Sequence, residues 1–143
     1  METPFNEDYP SFSPDGRWLA YVSNESGKEE VYVRGFSSTG GRWQISANGG
    51  SQPRWRPDGR ELFFVAPDLK LMSVNVRSGS TFGFDTPKVL FQTRIDNFAA
   101  PNRYVVADNG QRFLINVPVG HEIASPITVT MNMGLEEGGN GGD

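Results

Sequence analysis

The sequence contains no cysteine and a single histidine, His121. Without cysteine there is no disulfide, no thiolate nucleophile and no cysteine-bound zinc, and one imidazole per chain cannot build a histidine-rich metal centre. The chain also lacks an apolar run of the ~18 residues that a membrane-spanning helix requires. The composition therefore excludes thiol chemistry and zinc sites of these types, and it predicts no membrane insertion.

Positive charge is scarce as well. There are 13 Lys and Arg against 17 Asp and Glu, the net charge is −4, and the basic residues are scattered. No basic stripe is available to neutralise a phosphate backbone, so we expect no nucleic-acid partner. The first ten residues, METPFNEDYP, have neither the basic nor the apolar region of a signal peptide, and the residues alone leave the compartment open.

What the sequence does contain is a repeat. SFSPDGRWLAYVSN, residues 11–24, returns as RWRPDGRELFFVAP, residues 54–67, with Asp15 and Asp58 43 positions apart. This spacing falls within the ~40–45 residues of one four-stranded propeller blade. In each copy Pro-Asp-Gly separates a short predicted strand, Ser11–Ser13 or Arg54–Arg56, from a longer one. This pattern predicts a tight hairpin with Gly16 and Gly59 at positive φ.

Further strand-like segments follow each hairpin. EEVYVRG and LKLMSVNV are predicted third strands, and RWQIS and KVLF are predicted fourth strands. A diverged third copy, NRYVVADNGQRFLIN followed by SPITVTMNM, has no fourth strand of its own. We predict an all-β fold of three propeller blades, at residues 10–46, 51–91 and 103–133, with an exchanged strand at 2–5 and a disordered tail at 134–143.

The SPDGR…AY and RPDGRELFF hairpins resemble the WD40-like PD40 repeat of the TolB-type β-propeller. The order of segments over about residues 2–133 is similar to the C-terminal part of long bacterial proteins, including the outer sensor domains of some membrane serine/threonine kinases. The resemblance implies a bacterial propeller at the periplasmic or extracytoplasmic face that binds proteins, peptides or sugars, or that simply flanks an enzyme domain. It also implies that about half of the usual blades are absent.

Two arrangements would account for three blades. Two chains could associate head to tail as a homodimer, each lending residues 2–5 to its partner, to give a six-bladed ring. Alternatively, the chain is a piece of a larger ring and has no independent activity. We favour the homodimer because the strand count then becomes whole.

The first strand of each blade lines the channel of a propeller, which makes its polar residues the candidate ligand-binding set: Ser11, Ser13, Arg54, Arg56 and Arg103. We expect this set to hold a peptide, a protein or a small anionic ligand. The alternative is that these arginines bridge carboxylates such as Asp15 or Asp58. Large aromatic residues are expected to pack between blades: Trp18, Tyr21, Trp43, Trp55 and Phe63.

Catalysis has one candidate pair, His121 and Glu122, which could serve a hydrolase or lyase of polysaccharide or peptide. A solvated loop histidine is the alternative, and we expect a non-enzymatic module. Four loop carboxylates could hold Ca²⁺: Glu7, Asp8, Glu25 and Asp68. Their spacing fits no calcium-loop motif, so we expect no cofactor.

Overall fold

The computed structural model describes residues 4–37, 40–95, 103–117 and 127–130, and these residues form three consecutive antiparallel sheets. The first sheet contains β1 (Glu7–Phe12), β2 (Trp18–Ser23), β3 (Glu30–Gly35) and β4 (Arg42–Gln44). The second contains β5 (Ser51–Trp55), β6 (Glu61–Val65), β7 (Lys70–Ser78), β8 (Phe82–Phe84) and β9 (Lys88–Gln92). The third contains β10 (Tyr104–Ala107), β11 (Arg112–Ile115) and β12 (Ile127–Thr130).

Each sheet is a meander in which neighbouring strands in sequence pair with one another. In the second sheet both β8 and β9 pair with β7, β8 with its end and β9 with its beginning. The all-β prediction is confirmed, and the described residues contain no α-helix, only a 3-10 turn at Asp108–Gly110. No helix within these ranges is long and apolar enough to cross a membrane.

The repeated hairpin turns have the predicted conformation. Gly16 and Gly59 adopt φ values of 72° and 76°, the left-handed region in which a side chain is strained. In each turn the aspartate Oδ1 accepts a hydrogen bond at 3.0 Å from the backbone amide two residues later: Asp15 from Arg17, and Asp58 from Arg60. Turn chemistry thus accounts for the recurrence of Pro-Asp-Gly in both hairpins.

The first strands begin earlier than the sequence analysis placed them. β1 begins at Glu7 and β5 at Ser51, whereas the predicted strands were Ser11–Ser13 and Arg54–Arg56. Each contains a bulge in which a residue at positive φ, Tyr9 or Gln52, precedes a proline. A proline inside a strand is accommodated at a bulge, so the strand continues through a position that looks like its boundary.

The sequence prediction and the structure are also compared at β8, at the N-terminus and at the C-terminal tail. Strand β8 was not predicted. Pro4 and Phe5, the described part of the proposed exchanged strand, form a bend rather than a strand in the isolated chain. The tail at 134–143 lies outside the described residues.

The buried hydrophobic residues form three clusters, and the two larger ones are layers between adjacent sheets. The first layer joins the first and second sheets through residues that include Trp18, Val33, Trp55 and Phe64. The second joins the second and third sheets through residues that include Phe63 and Phe113, whose rings meet edge to face with centroids 5.0 Å apart. Alternate residues of β6 therefore serve the two layers, because successive side chains of a strand point to opposite faces.

Four of the five aromatic residues predicted to pack between blades do so, as members of these layers: Trp18, Trp43, Trp55 and Phe63. Tyr21 lies on the opposite face of the first sheet, where its ring stacks on Tyr32 at a centroid distance of 5.8 Å. The guanidinium of Arg34 lies 5.7 Å from the Tyr21 ring centroid, within cation–π range. This face has no neighbouring sheet among the described residues.

Candidate functional site

The first strands of the three sheets lie side by side in the order β1, β5, β10. Hydrogen bonds across them fix this arrangement. The indole Nε1 of Trp55 donates to the carbonyl of Ser11 at 2.9 Å, and the hydroxyl of Tyr104 donates to the carbonyl of Gln52 at 2.8 Å. In a propeller the first strands of the blades lie next to one another around the centre. The predicted ligand-binding residues, which lie on or beside these strands, therefore share one region of the fold.

Gln52 connects the second and third sheets at this centre. Its side-chain Oε1 accepts a hydrogen bond from the backbone amide of Arg103 at 2.9 Å, while its backbone carbonyl accepts from Tyr104. The bulge at positive φ presents both of these groups to β10. Tyr104 is completely buried, and the burial raises the pKa of its hydroxyl, which therefore stays protonated as a donor.

The three predicted arginines follow this seam between β5 and β10, and all three are half-buried. The Arg54 guanidinium donates to the carbonyl of Pro53 at 3.2 Å, and its charge acts on buried Tyr104 nearby. Among the described residues, no carboxylate lies within ion-pair distance of Arg54.

Arg56 instead pairs with carboxylates, as the alternative expectation for these arginines proposed. Its Nε lies 3.2 Å from Asp58 Oδ2, and its Nη1 lies 3.2 Å from Glu61 Oε2. Glu61 is buried, and its other oxygen accepts a hydrogen bond from the hydroxyl of Ser73. The side chain of Arg56 also packs beside the third turn, 3.4 Å from where a Cβ on Gly110 would lie. Arg56 thus neutralises a buried carboxylate in its own sheet.

Ser11 and Ser13 belong to the first sheet and have structural contacts. Ser11 accepts the indole hydrogen bond from Trp55 through its carbonyl. Ser13 is buried, and its hydroxyl donates to Asp15 Oδ1 at 2.6 Å and accepts from the Trp18 amide at 3.0 Å. The hydrogen bond from Ser13, followed by that from the backbone amide of Arg17, lowers the pKa of Asp15. Ser13 is therefore committed to the first turn.

The remaining candidates do not assemble into a reactive centre within the described residues. His121 and Glu122 lie outside those residues. Glu25 pairs with Arg42 at 2.6 Å and Asp68 pairs with Lys70 at 3.1 Å. No group of three potential metal ligands occurs in the described part of the chain.

One cleft was missed by the sequence analysis. It has a volume of about 550 Å³ and lies where the first turn meets the β3–β4 and β7–β8 loops, with Arg17, Trp18, Trp43 and Phe82 in its lining. A Cβ on Gly41 would approach the Trp43 ring to 2.9 Å, so glycine leaves that ring uncovered. The Gly-Gly pair just before Trp43 was the available sequence signal.

Comparison with known proteins supports a TolB-like fold. A segment of 56 residues, 37% of this chain, is 41% identical to the Tol-Pal system protein TolB of Alcanivorax borkumensis and covers 13% of that protein. No family model matches the chain, so the PD40 assignment stays a prediction.

Two solved structures are similar. One is a proposed 6-phosphogluconolactonase from Bacteroides uniformis, with a TM-score of 0.52 and 18% identity over 82% of this chain and 34% of that one. The other is TolB from Acinetobacter baumannii, with a TM-score of 0.48 and 17% identity over 94% of this chain and 43% of that one. The chain is an all-β assembly of propeller-type sheets. It spans less than half the length of each protein it matches.

Proposed function

We propose that this chain is a non-enzymatic protein-interaction module that holds an acidic peptide segment of its partner against the seam between β5 and β10. The observation that carries the proposal is Arg54, a half-buried guanidinium with no carboxylate partner among the described residues. A guanidinium binds a carboxylate through two parallel hydrogen bonds, which gives both affinity and orientation.

The surroundings favour an extended peptide as the ligand. Arg54 and Arg103 approach the seam from two different sheets, and Gln52 holds those sheets together through its side chain and its carbonyl. Arg54 lies on β5 and Arg103 directly precedes β10, so the backbone of both is held by the sheets, which limits the entropy lost on binding. The sequence similarity to TolB, a Tol-Pal system protein, supports an interaction role.

The resemblance to bacterial TolB-type propellers supports an extracytoplasmic location. Both the location and the ligand are parts of this proposal. Partial burial of Arg54 also predicts that salt weakens peptide binding less than it would at a fully exposed charge.

The test is fluorescence anisotropy with a labelled peptide rich in Asp and Glu and with its Asn and Gln counterpart. Arg54→Ala should weaken binding of the acidic peptide by about tenfold or more, the loss expected for a charged hydrogen bond. Arg60→Ala is the matched control, because it removes the same charge from an exposed turn position of the same sheet. Equal affinities for the two peptides, or equal effects of the two substitutions, would refute the proposal.

A substrate panel distinguishes this proposal from the hydrolase or lyase alternative. We expect no turnover of polysaccharide or peptide substrates. Turnover that disappears in His121→Ala would establish the enzymatic reading instead, because His121 is the only imidazole in the chain.

A further inference from the structure

The three sheets follow one stacking direction, which defines two faces for each sheet. We call the side toward the preceding sheet the leading face and the side toward the next sheet the trailing face. In the second sheet, Leu62 and Phe64 lie on the leading face and contact the first sheet, while Phe63 and Val65 lie on the trailing face and contact the third. The leading face of the first sheet and the trailing face of the third have no neighbouring sheet among the described residues.

The leading face of the first sheet carries two exposed aromatic residues. Phe12 and Phe36 are 54% and 63% exposed, and their rings meet edge to face at 5.4 Å. Phe12 corresponds by the 43-residue repeat to Trp55, which is 8% exposed in the layer against the first sheet. The counterpart of Phe36 in the second sheet is Val76, which is 7% exposed. The backbone amide of Phe36 donates to the carbonyl of Arg17, and the backbone amide of Val76 donates to the carbonyl of Arg60. Each of these arginines directly follows the glycine of its turn.

The trailing face of the third sheet carries a matching aliphatic pair. Val105 and Leu114 lie opposite one another in the β10–β11 register and are 54% and 46% exposed. Arg54 and Phe63 form the same pair in the second sheet. Phe63 is fully buried because the third sheet packs on it, whereas Leu114, the equivalent residue of the third sheet, is exposed.

The repeat also identifies which residues would meet. The indole of Trp55 reaches the carbonyl of Ser11 on the trailing side of the first sheet. Ser11, Arg54 and Val105 occupy equivalent positions on the first strands of the three sheets. Each lies opposite the corresponding residue of the second strand, which is Ala20, Phe63 or Leu114. A sheet that preceded the first one with the same geometry would therefore place a residue equivalent to Val105 beside Phe12.

We propose that the leading face of the first sheet docks on the trailing face of the third sheet of a second copy of this chain, with Phe12 of one copy against Val105 of the other. The reciprocal contact closes a two-fold ring and repeats the sheet-on-sheet stacking that occurs twice within each chain. Heterologous contacts of this kind close when the rotation between copies returns to the start.

The available area favours a weak pair whose formation depends on protein concentration. Strands about 4.8 Å apart with a rise of about 3.3 Å per residue give the first sheet a face of about 19 by 20 Å, and give the third about 14 by 13 Å. The smaller face limits each contact, so two contacts hide roughly 730 Å² of flat sheet area in total, below the ~1,200 Å² at the lower end of the range for stable interfaces.

Solution mass is the first test, measured by light scattering over about a hundredfold range of protein concentration. We expect a species of about twice 15.8 kDa. Phe12→Ser should raise its dissociation constant about tenfold or more, since exposed aromatic anchors dominate interface energies. Val105→Ser should weaken the dimer, whereas Val89→Ser, an identical change at a residue equally 54% exposed on β9, should leave it unchanged.

A monomer at all concentrations would overturn the proposal, and so would a polydisperse series, which indicates open-ended stacking. Thermal unfolding of each variant shows whether weakened association reflects loss of the fold. Equal effects of Val105→Ser and Val89→Ser would also overturn it.

Cross-linking tests the orientation, because the chain has no cysteine of its own. A mixture of Phe12→Cys and Val105→Cys chains should form a disulfide-linked pair under mild oxidation. A mixture of Phe12→Cys and Val89→Cys chains should not. Efficient linkage within Phe12→Cys alone would show leading faces in contact with each other and would overturn the head-to-tail arrangement.

Discussion

Replacing Gly16 with alanine tests whether the repeated turn depends on backbone conformation alone. Gly16 has φ of 72°, and a Cβ built there meets no atom within 4 Å, so the added methyl group has room. The remaining cost is the left-handed backbone, about 1–2 kcal/mol for an L-residue. We expect Gly16→Ala to lower the free energy of unfolding by that amount.

Gly79 provides the matched control. A Cβ there also meets nothing within 4 Å, but Gly79 is not among the residues with positive φ. Alanine at such a site stabilises by about 0.4–1 kcal/mol, because it restricts the unfolded chain. The two substitutions should therefore shift stability in opposite directions.

The assay is urea unfolding followed by tryptophan fluorescence, with circular dichroism as a second probe. An unchanged m-value with a lower midpoint for Gly16→Ala would indicate a change in stability rather than in the unfolded state. Gly59→Ala should repeat the effect in the second sheet, where φ is 76°. If Gly16→Ala were as stable as Gly79→Ala, the explanation of the motif by turn conformation would be wrong.

Three further predictions concern the turn, the core and the N-terminus. The lowered pKa of Asp15 contributes stability above the ordinary value of 3.8 that is lost as pH falls below it. Ser13→Ala, which removes the main cause, should reduce this acid-side loss in a pH series of urea midpoints. Phe63→Ala should cost about 3–5 kcal/mol because the ring is fully buried between two sheets. Val89→Ala should change the urea midpoint little. Deleting residues 1–5 should abolish the dimer if these residues complete the partner's third sheet, and a truncated chain that stays dimeric by light scattering would refute strand exchange alone.

The hairpins were predictable because their chemistry is local. Pro-Asp-Gly sets its own turn, and alternating apolar residues identify the strands on either side. Strand β8 was not predictable in this way, since its three residues pair with an extension of β7 that is determined by tertiary contacts. The bulges at Tyr9 and Gln52 were missed for a related reason: the prolines that follow them look like strand boundaries in sequence.

The candidate site was predictable in position but not in the roles of its residues. The repeat places Arg54, Arg56 and Arg103 on neighbouring strands, and the structure brings them to one seam. Only the folded chain shows that Arg56 is bound to Glu61, while no carboxylate in the described part of the chain lies within ion-pair distance of Arg54. Glu61 lies only five residues after Arg56 in the same repeat, and the two side chains meet because the hairpin register places them opposite each other.

The side-chain layers between sheets differ although the turns repeat. At equivalent positions of the trailing faces, the first sheet has Trp18 and Ala20 and the second has Glu61 and Phe63, so the bulky residue changes place. Each sheet is consequently matched to its own neighbour by shape. A protein in which one repeat was duplicated or transposed would keep its hairpins but change the side chains that meet between sheets. The order of the sheets therefore depends on these layers and not on the turns.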